Sequence, residues 1–304
     1  MRLRDTIRAA PAPAASAHTV FNLAWYELLP LFLILVAQGL VFAGYNVLGA
    51  GVQALNIIAV AVIVVALHGK RTQLVEALAL ISVYEVVAFS LVHVSIIYSM
   101  AIVCVMCAPL ILVIPTVSWY LQVALYGVMF IPIIAVITHR KLSRQDLGFT
   151  GGLRLMYLIP VGIVIGAGLG LIEYAIVANQ AFIPNASATE LIRLSIIMIF
   201  FIALIEELLF RVLLQPQLIE RSGAVAGILI TSVLFGVWHA YYANVYELLF
   251  TAGAGVVFGV AFYKTNNLPF IVTMHAVDDI LLGVLPFLPL ALPTLSALVR
   301  IVPL

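Results

Sequence analysis

Two adjacent carboxylates and an arginine follow a long apolar run in the C-terminal half of the chain. Glu206 and Glu207 come directly after the run 194–205, and Arg211 stands four residues beyond Glu207. One such charge at a bilayer centre costs about 2.5–3.5 kcal/mol, so these residues are expected to face a protein interior and to have a function. Residues four apart share a helix face, which predicts a Glu207–Arg211 ion pair. Glu206, rotated by about 100°, remains as the carboxylate for general-base chemistry.

Two later apolar segments carry imidazoles at the same spacing. Phe235 and His239 are four residues apart, and so are His275 and Asp279, with Asp278 three residues after His275. A carboxylate together with a histidine can activate water, while other donors polarise a carbonyl. The three segments therefore contain the parts of a hydrolytic site.

Other hydrolase signatures are missing from the sequence. It has neither the H-E-x-x-H helix of zinc proteases nor the G-x-S-x-G elbow of serine hydrolases. We expect no cofactor, although Glu206, His239 and His275 have the ligand types of a divalent-metal site, which stays open as an alternative. A buried ion-pair cluster that only fixes helix packing is a further alternative.

The composition predicts a membrane protein. The 304 residues are 65% hydrophobic and 9% charged, whereas soluble domains carry about 25% charged residues. Lipid cannot satisfy open backbone groups and a helical span needs about 20 residues, so the expected fold class is all-α: a polytopic transmembrane helix bundle of about eight to ten spans. The bilayer is thus an expected partner, and the net charge of +1 predicts no nucleic-acid partner. The candidate spans are approximately 24–44, 53–68, 74–94, 97–116, 119–138, 154–177, 191–213, 223–243, 246–264 and 268–286.

The chain is predicted to have three parts. Residues 1–23 form a mobile basic arm, 24–138 are transmembrane helices of unknown role, and 139–304 are the catalytic transmembrane core. Cys104 and Cys107 lie in an apolar run and are expected to be buried, inert thiols.

Three motifs occur in a fixed order on separate apolar segments. They are Glu206-Glu207-x-x-x-Arg211, Phe235-x-x-x-His239 and His275-x-x-x-Asp279. In order and spacing they resemble the signature of the CPBP intramembrane glutamic proteases, which include the CAAX prenyl endopeptidases of the Rce1 type and bacterial relatives tied to bacteriocin processing and immunity. The resemblance covers about residues 140–285. It implies that Glu206 activates water, that His239 helps to hold or protonate that water, and that Glu207 and Arg211 orient the site.

The third motif departs from the usual family pattern. The resemblance implies that His275 and residue 279 stabilise an oxyanion, but the family often has Asn where this chain has Asp279. A carboxyl group donates a hydrogen bond only when it is protonated. Asp279 could instead orient His275, and Asp278 is an alternative partner for that imidazole.

The sequence therefore predicts an intramembrane endopeptidase that cleaves a membrane protein or a lipidated peptide. We expect it in the plasma membrane of a prokaryote. One alternative is a proton-coupled transporter, because buried Glu, His and Asp also build proton relays. Another is a non-catalytic immunity or partner protein on the same scaffold, which would tolerate the loss of Glu206.

Overall fold

The computed structural model describes residues 23–67, 73–84, 123, 126–177 and 182–287. Every regular element in these ranges is helical, which confirms the all-α prediction. Cys104, Cys107, the predicted span 97–116 and nearly all of the N-terminal arm lie outside the described residues. The helices are α1 (Trp25–Phe42), α2 (Asn46–Leu67), α3 (Gln73–Tyr84), α4 (Phe130–His139), α5 (Leu153–Val177), α6 (Ala188–Ile196), α7 (Leu204–Glu207), α8 (Gln215–Trp238), α9 (Val245–Thr265) and α10 (Leu268–Val284).

Five of the described helical segments are long and apolar enough to cross a bilayer. They carry large apolar side chains on their outer faces, such as Val65, 72% exposed, and Val164, 71% exposed. Water disfavours such faces, whereas lipid accommodates them. The protein is an integral membrane protein with a polytopic helix bundle. The five segments are Trp25–Phe42, Asn46–Ala66, Arg154–Ile176, Val245–Thr265 and Leu268–Phe287.

The two adjacent carboxylates lie in the middle of a long helical rod. It begins with α6, whose N-cap Ser187 accepts a hydrogen bond from the Glu190 N–H. Two π-helical turns, Ile197–Ala203 and Leu208–Leu214, flank the four residues of α7. Such turns are rare and occur frequently at functional sites.

A glycine separates this rod from the helix that carries the second motif. Gly223 has φ 81° and ψ 165°, a conformation that interrupts α8. Glycine reaches positive φ without steric cost. The predicted spans 191–213 and 223–243 therefore correspond to two helical arms that meet at this kink, and the second arm leads to Trp238 and His239.

Glycines bring α5 unusually close to α10, which carries the third motif. Gly162, Gly166 and Gly170 recur every four residues and face the α10 backbone. An added Cβ would lie 3.1 Å from the Phe270 carbonyl oxygen at Gly162 and 2.8 Å from the Asp278 carbonyl oxygen at Gly170. Small residues at this spacing let helix backbones approach in membranes. This contact determines the depth at which α10 presents its polar residues.

We expect Gly166→Ala to destabilise the protein, because the new methyl group would overlap the Met274 carbonyl of α10. Overpacking of this kind costs about 1–3 kcal/mol. Gly168→Ala is the matched control, since a Cβ there meets nothing within 4 Å, and replacing a helical glycine by alanine stabilises by about 0.5–1 kcal/mol. Thermal unfolding in detergent measures both variants. Equal melting temperatures would show that α5 and α10 are not in backbone contact.

Candidate active site

Arg211 is a fully buried cation that joins three helical segments. Its Nε lies 3.2 Å from Glu207 Oε2, and neither side chain is exposed. One of its terminal amino groups donates to the Gly255 carbonyl oxygen of α9 at 3.3 Å. Its guanidinium carbon lies 4.2 Å from the centre of the Phe235 ring on α8, a cation–π contact. The i, i+4 spacing thus places the two charges together, and Arg211 ties the rod to α8 and α9.

Glu207 orients His275. Its Oε1 lies 2.8 Å from His275 Nδ1, while its Oε2 faces Arg211. An ionised carboxylate only accepts hydrogen bonds, so Nδ1 carries the hydrogen of this pair. The imidazole ring is thereby held by a residue 68 positions earlier in the sequence. The structure thus places Glu207 at Nδ1 of His275, whereas Asp279 lies near Nε2.

Two carboxylate oxygens approach the opposite nitrogen of the same imidazole. His275 Nε2 lies 3.9 Å from Glu206 Oε2 and 3.6 Å from Asp279 Oδ2. Both oxygens are buried, and neither has a hydrogen-bond partner among the described residues. One water molecule or one substrate carbonyl placed between them would lie within reach of a base and of an imidazole nitrogen. This group is the candidate reaction centre.

Aromatic rings enclose His275. Phe258 is nearly parallel to the imidazole, with ring centroids 5.2 Å apart and an interplanar angle of 20°. Phe235 meets it edge-on, with centroids 5.7 Å apart. These apolar walls exclude water and strengthen the polar contacts inside the site. The sequence motif contains Phe235, whereas no spacing rule points to Phe258.

His239 also packs against Phe235. The centroids of these two rings are 5.1 Å apart. His239 Nδ1 lies 2.9 Å from the Phe235 carbonyl oxygen. Because a carbonyl can only accept, Nδ1 carries the hydrogen, and Nε2 is the basic nitrogen of the neutral ring. The structure therefore places both imidazoles against the same Phe235 ring.

Asp278 belongs to a different group of side chains. It is buried and lies close to the carboxyl group of Glu173 of α5, which in turn lies close to that of Glu247 of α9. Adjacent residues on a helix point about 100° apart, so Asp278 and Asp279 cannot both face His275 Nε2. Asp279 is the residue that the structure places there.

One residue of the site comes from the N-terminal helices. The hydroxyl of Tyr84, at the end of α3, donates to Glu206 Oε1 at 3.3 Å. The two residues are 122 positions apart. Local periodicity carries no information about such a pair, so the sequence offers no signal for Tyr84.

The described residues contain no group of three or more His, Cys, Asp or Glu side chains arranged to hold a metal ion. Glu206, His239 and His275 are therefore not grouped as ligands of one ion in this conformation. A chelation experiment tests the alternative that these three residues bind a divalent metal.

The middle of the C-terminal region matches a known protein family. Residues 188–281 fit the family model described as type II CAAX prenyl endopeptidase Rce1-like. Over this segment, called the Rce1-like segment below, the chain is similar to that family. All three motifs lie inside it, which confirms the resemblance inferred from their order and spacing.

The Rce1-like segment spans under a third of the chain. No curated protein and no solved structure gave a significant match. The family that the model describes is a protease family. Helix α3, which carries Tyr84, lies outside the matched residues.

Proposed function

We propose that the protein is an intramembrane endopeptidase in which Glu206 activates a water molecule for attack on a peptide carbonyl. The approach of Glu206 Oε2 and Asp279 Oδ2 to His275 Nε2, at 3.9 Å and 3.6 Å, carries this proposal. The three groups lie in the Rce1-like segment of an integral membrane protein. Their burial keeps bulk water away from the candidate reaction centre.

In the first step, Glu206 accepts a proton from the bound water. The resulting hydroxide oxygen bonds to the carbonyl carbon, and the π electrons of the carbonyl move onto its oxygen. Glu206 suits this role because Arg211 and His275 are both engaged with Glu207, which leaves Glu206 Oε2 facing the reaction centre. Glu207 then has the separate task of holding the imidazole.

In the second step, His275 stabilises the oxyanion. Before the reaction begins, ionised side chains at three positions would bring three negative charges against the single positive charge of Arg211. These are Glu206, Glu207 and Asp279. A proton on each imidazole nitrogen of His275 brings the buried site closer to neutrality. Nδ1–H then donates to Glu207, and Nε2–H donates to the oxyanion. Asp279, 3.6 Å from Nε2, stabilises the imidazolium when ionised and is a second donor when protonated.

In the final step, the tetrahedral intermediate collapses. The carbonyl re-forms, the C–N bond breaks, and the departing nitrogen receives the proton that Glu206 took from water. His239 supports this transfer through its basic Nε2, which can hold the water or relay the proton. The products are a carboxylic acid and an amine, and no cofactor is consumed.

The substrate is proposed to be a membrane protein or a lipidated peptide. The family description names a prenyl endopeptidase. The helices also carry exposed apolar faces, which a membrane-embedded substrate can contact from the lipid. We place the protein in a prokaryotic plasma membrane. The match to the Rce1-like family supports a membrane protease as the general class of enzyme.

We expect the purified protein in detergent to cleave a fluorogenic peptide library that contains prenylated members, with the same rate before and after treatment with a metal chelator. Cleavage products read by mass spectrometry would name the scissile bond. Loss of cleavage on chelation, restored by a divalent metal, would contradict the glutamate mechanism and favour Glu206, His239 and His275 as metal ligands. Absence of cleavage across the library would contradict the proposed substrate class.

A further inference from the structure

The N-terminal helices supply a phenol to the carboxylate that we propose as the base. Tyr84 is 4% exposed, and its hydroxyl donates to Glu206 Oε1 at 3.3 Å. Its ring packs on Trp238, at the end of the second-motif helix, with centroids 4.5 Å apart. Tyr126 adds a third ring 5.7 Å from Tyr84. Tyr84 is therefore held by its ring as well as by its hydroxyl.

The hydrogen bond selects which oxygen of Glu206 faces the reaction centre. The terminal torsion of a glutamate is broad, so an unrestrained carboxylate samples many orientations. With Oε1 engaged by Tyr84, Oε2 is directed toward His275 Nε2, at 3.9 Å. A catalytic base works only within a narrow range of positions.

Contacts near both ends of α3 keep Tyr84 in place. Near its C-terminal end, Asn56 Nδ2 of α2 donates to Ser82 Oγ at 2.8 Å, and both residues are fully buried. Near its N-terminal end, Glu76 Oε2 lies 3.0 Å from Arg140 Nε, just beyond α4. Hydrogen bonds between helices in a membrane contribute about 1–2 kcal/mol at most. Two such anchors hold this helix of twelve residues to α2 and to the end of α4, while Glu206 and Trp238 contact it from the Rce1-like segment.

We propose that Tyr84 is a positioning residue for Glu206, and that the N-terminal helices complete the active site. This inference rests on the proposed function, because it assigns to Tyr84 an effect on the base of that reaction. It also gives the predicted part 24–138 a role: α3 completes the surroundings of a site whose three motifs all lie elsewhere in the chain.

Tyr84→Phe tests the inference, because it keeps the ring on Trp238 and removes only the hydroxyl. We expect kcat to fall about 10- to 100-fold with KM unchanged, the result of a base that is present but less well placed. Tyr157→Phe is the matched control, since Tyr157 is 73% exposed on α5 and is expected to keep wild-type kinetics. A Tyr84→Phe enzyme with wild-type kcat, measured beside an inactive Glu206→Gln enzyme, would overturn the inference and leave the proposed function standing.

A double-mutant cycle on thermal unfolding tests the contact without using activity. Tyr84→Phe, Glu206→Leu and the double variant are melted in the same detergent, because leucine, unlike glutamine, cannot accept the hydrogen bond of Tyr84. A hydrogen bond between the two side chains predicts non-additive shifts in melting temperature. Additive shifts would overturn the inference, whatever the activity. If the wild-type protein cleaves no peptide, the proposed function and the kinetic role of Tyr84 both fail, and non-additive shifts would still support the contribution of α3 to the site.

Discussion

Glu206→Gln is expected to abolish peptide cleavage while the protein remains folded. The amide has the shape of the carboxylate but cannot accept a proton from water. General-base catalysis contributes about 10²- to 10⁴-fold, so the loss in kcat should reach at least the lower end of this range. The wild type and the variant are compared on the same fluorogenic peptide under saturating conditions.

Folding of this variant should be unimpaired for a specific reason. Glu207, rather than Glu206, forms the ion pair with Arg211. Removing the charge at Glu206 therefore leaves this ion pair intact; it weakens only the 3.9 Å contact with His275 Nε2, and it lessens the cost of burying a carboxylate. We expect a melting temperature equal to or above that of the wild type.

Glu220→Gln is the matched control for the change of side chain. The Glu220 side chain is 77% exposed on α8, so its replacement should leave turnover and stability as they are. Turnover by Glu206→Gln at a rate close to that of the control would contradict the assignment of Glu206 as the general base.

Arg211→Met is expected to cause the largest loss of stability of any single change discussed. It removes the cation from a pair in which neither side chain is exposed, and it leaves Glu207 with a buried charge. Breaking a buried pair by removing one partner costs about 3–5 kcal/mol. The variant also loses the hydrogen bond to Gly255 and the contact with Phe235, so α9 and α8 both lose a connection to the rod.

The control for Arg211→Met is Arg193→Met on the same rod. Arg193 pairs with Glu190 at 2.8 Å, but its side chain is 34% exposed. Exposed pairs contribute about 0–1 kcal/mol, so this variant should melt close to the wild type. Thermal unfolding in detergent measures both. Equal losses at the two positions would contradict the buried-pair interpretation.

A second substitution tests the cause of the instability. Glu207→Gln combined with Arg211→Met removes both charges, so it should recover part of the melting temperature lost in Arg211→Met alone. It should not recover activity, because His275 Nδ1 loses the carboxylate that orients it. Stability and activity would thereby be separated in one variant.

Much of this protein follows from local patterns in its sequence. Hydropathy over windows of about 20 residues predicts membrane helices, because the bilayer offers no partner for open backbone groups. The helical repeat places Glu207 beside Arg211, and in the structure Glu207 Oε2 and Arg211 Nε lie 3.2 Å apart. The order of the three motifs is also a property of the sequence, and the family match over 188–281 confirms it.

The tertiary structure decided which polar atoms meet. The pairs Glu207–His275 and Tyr84–Glu206 join residues 68 and 122 positions apart. The helical repeat says which residues share a face, but it does not say which helix that face will meet. That choice depends on the depth and rotation of each helix, which are fixed here by backbone contacts such as Gly170 against the Asp278 carbonyl. For the same reason the sequence keeps Asp278 as an alternative to the motif residue Asp279, whereas the packing of α10 against α5 turns Asp278 toward Glu173 and Asp279 toward His275.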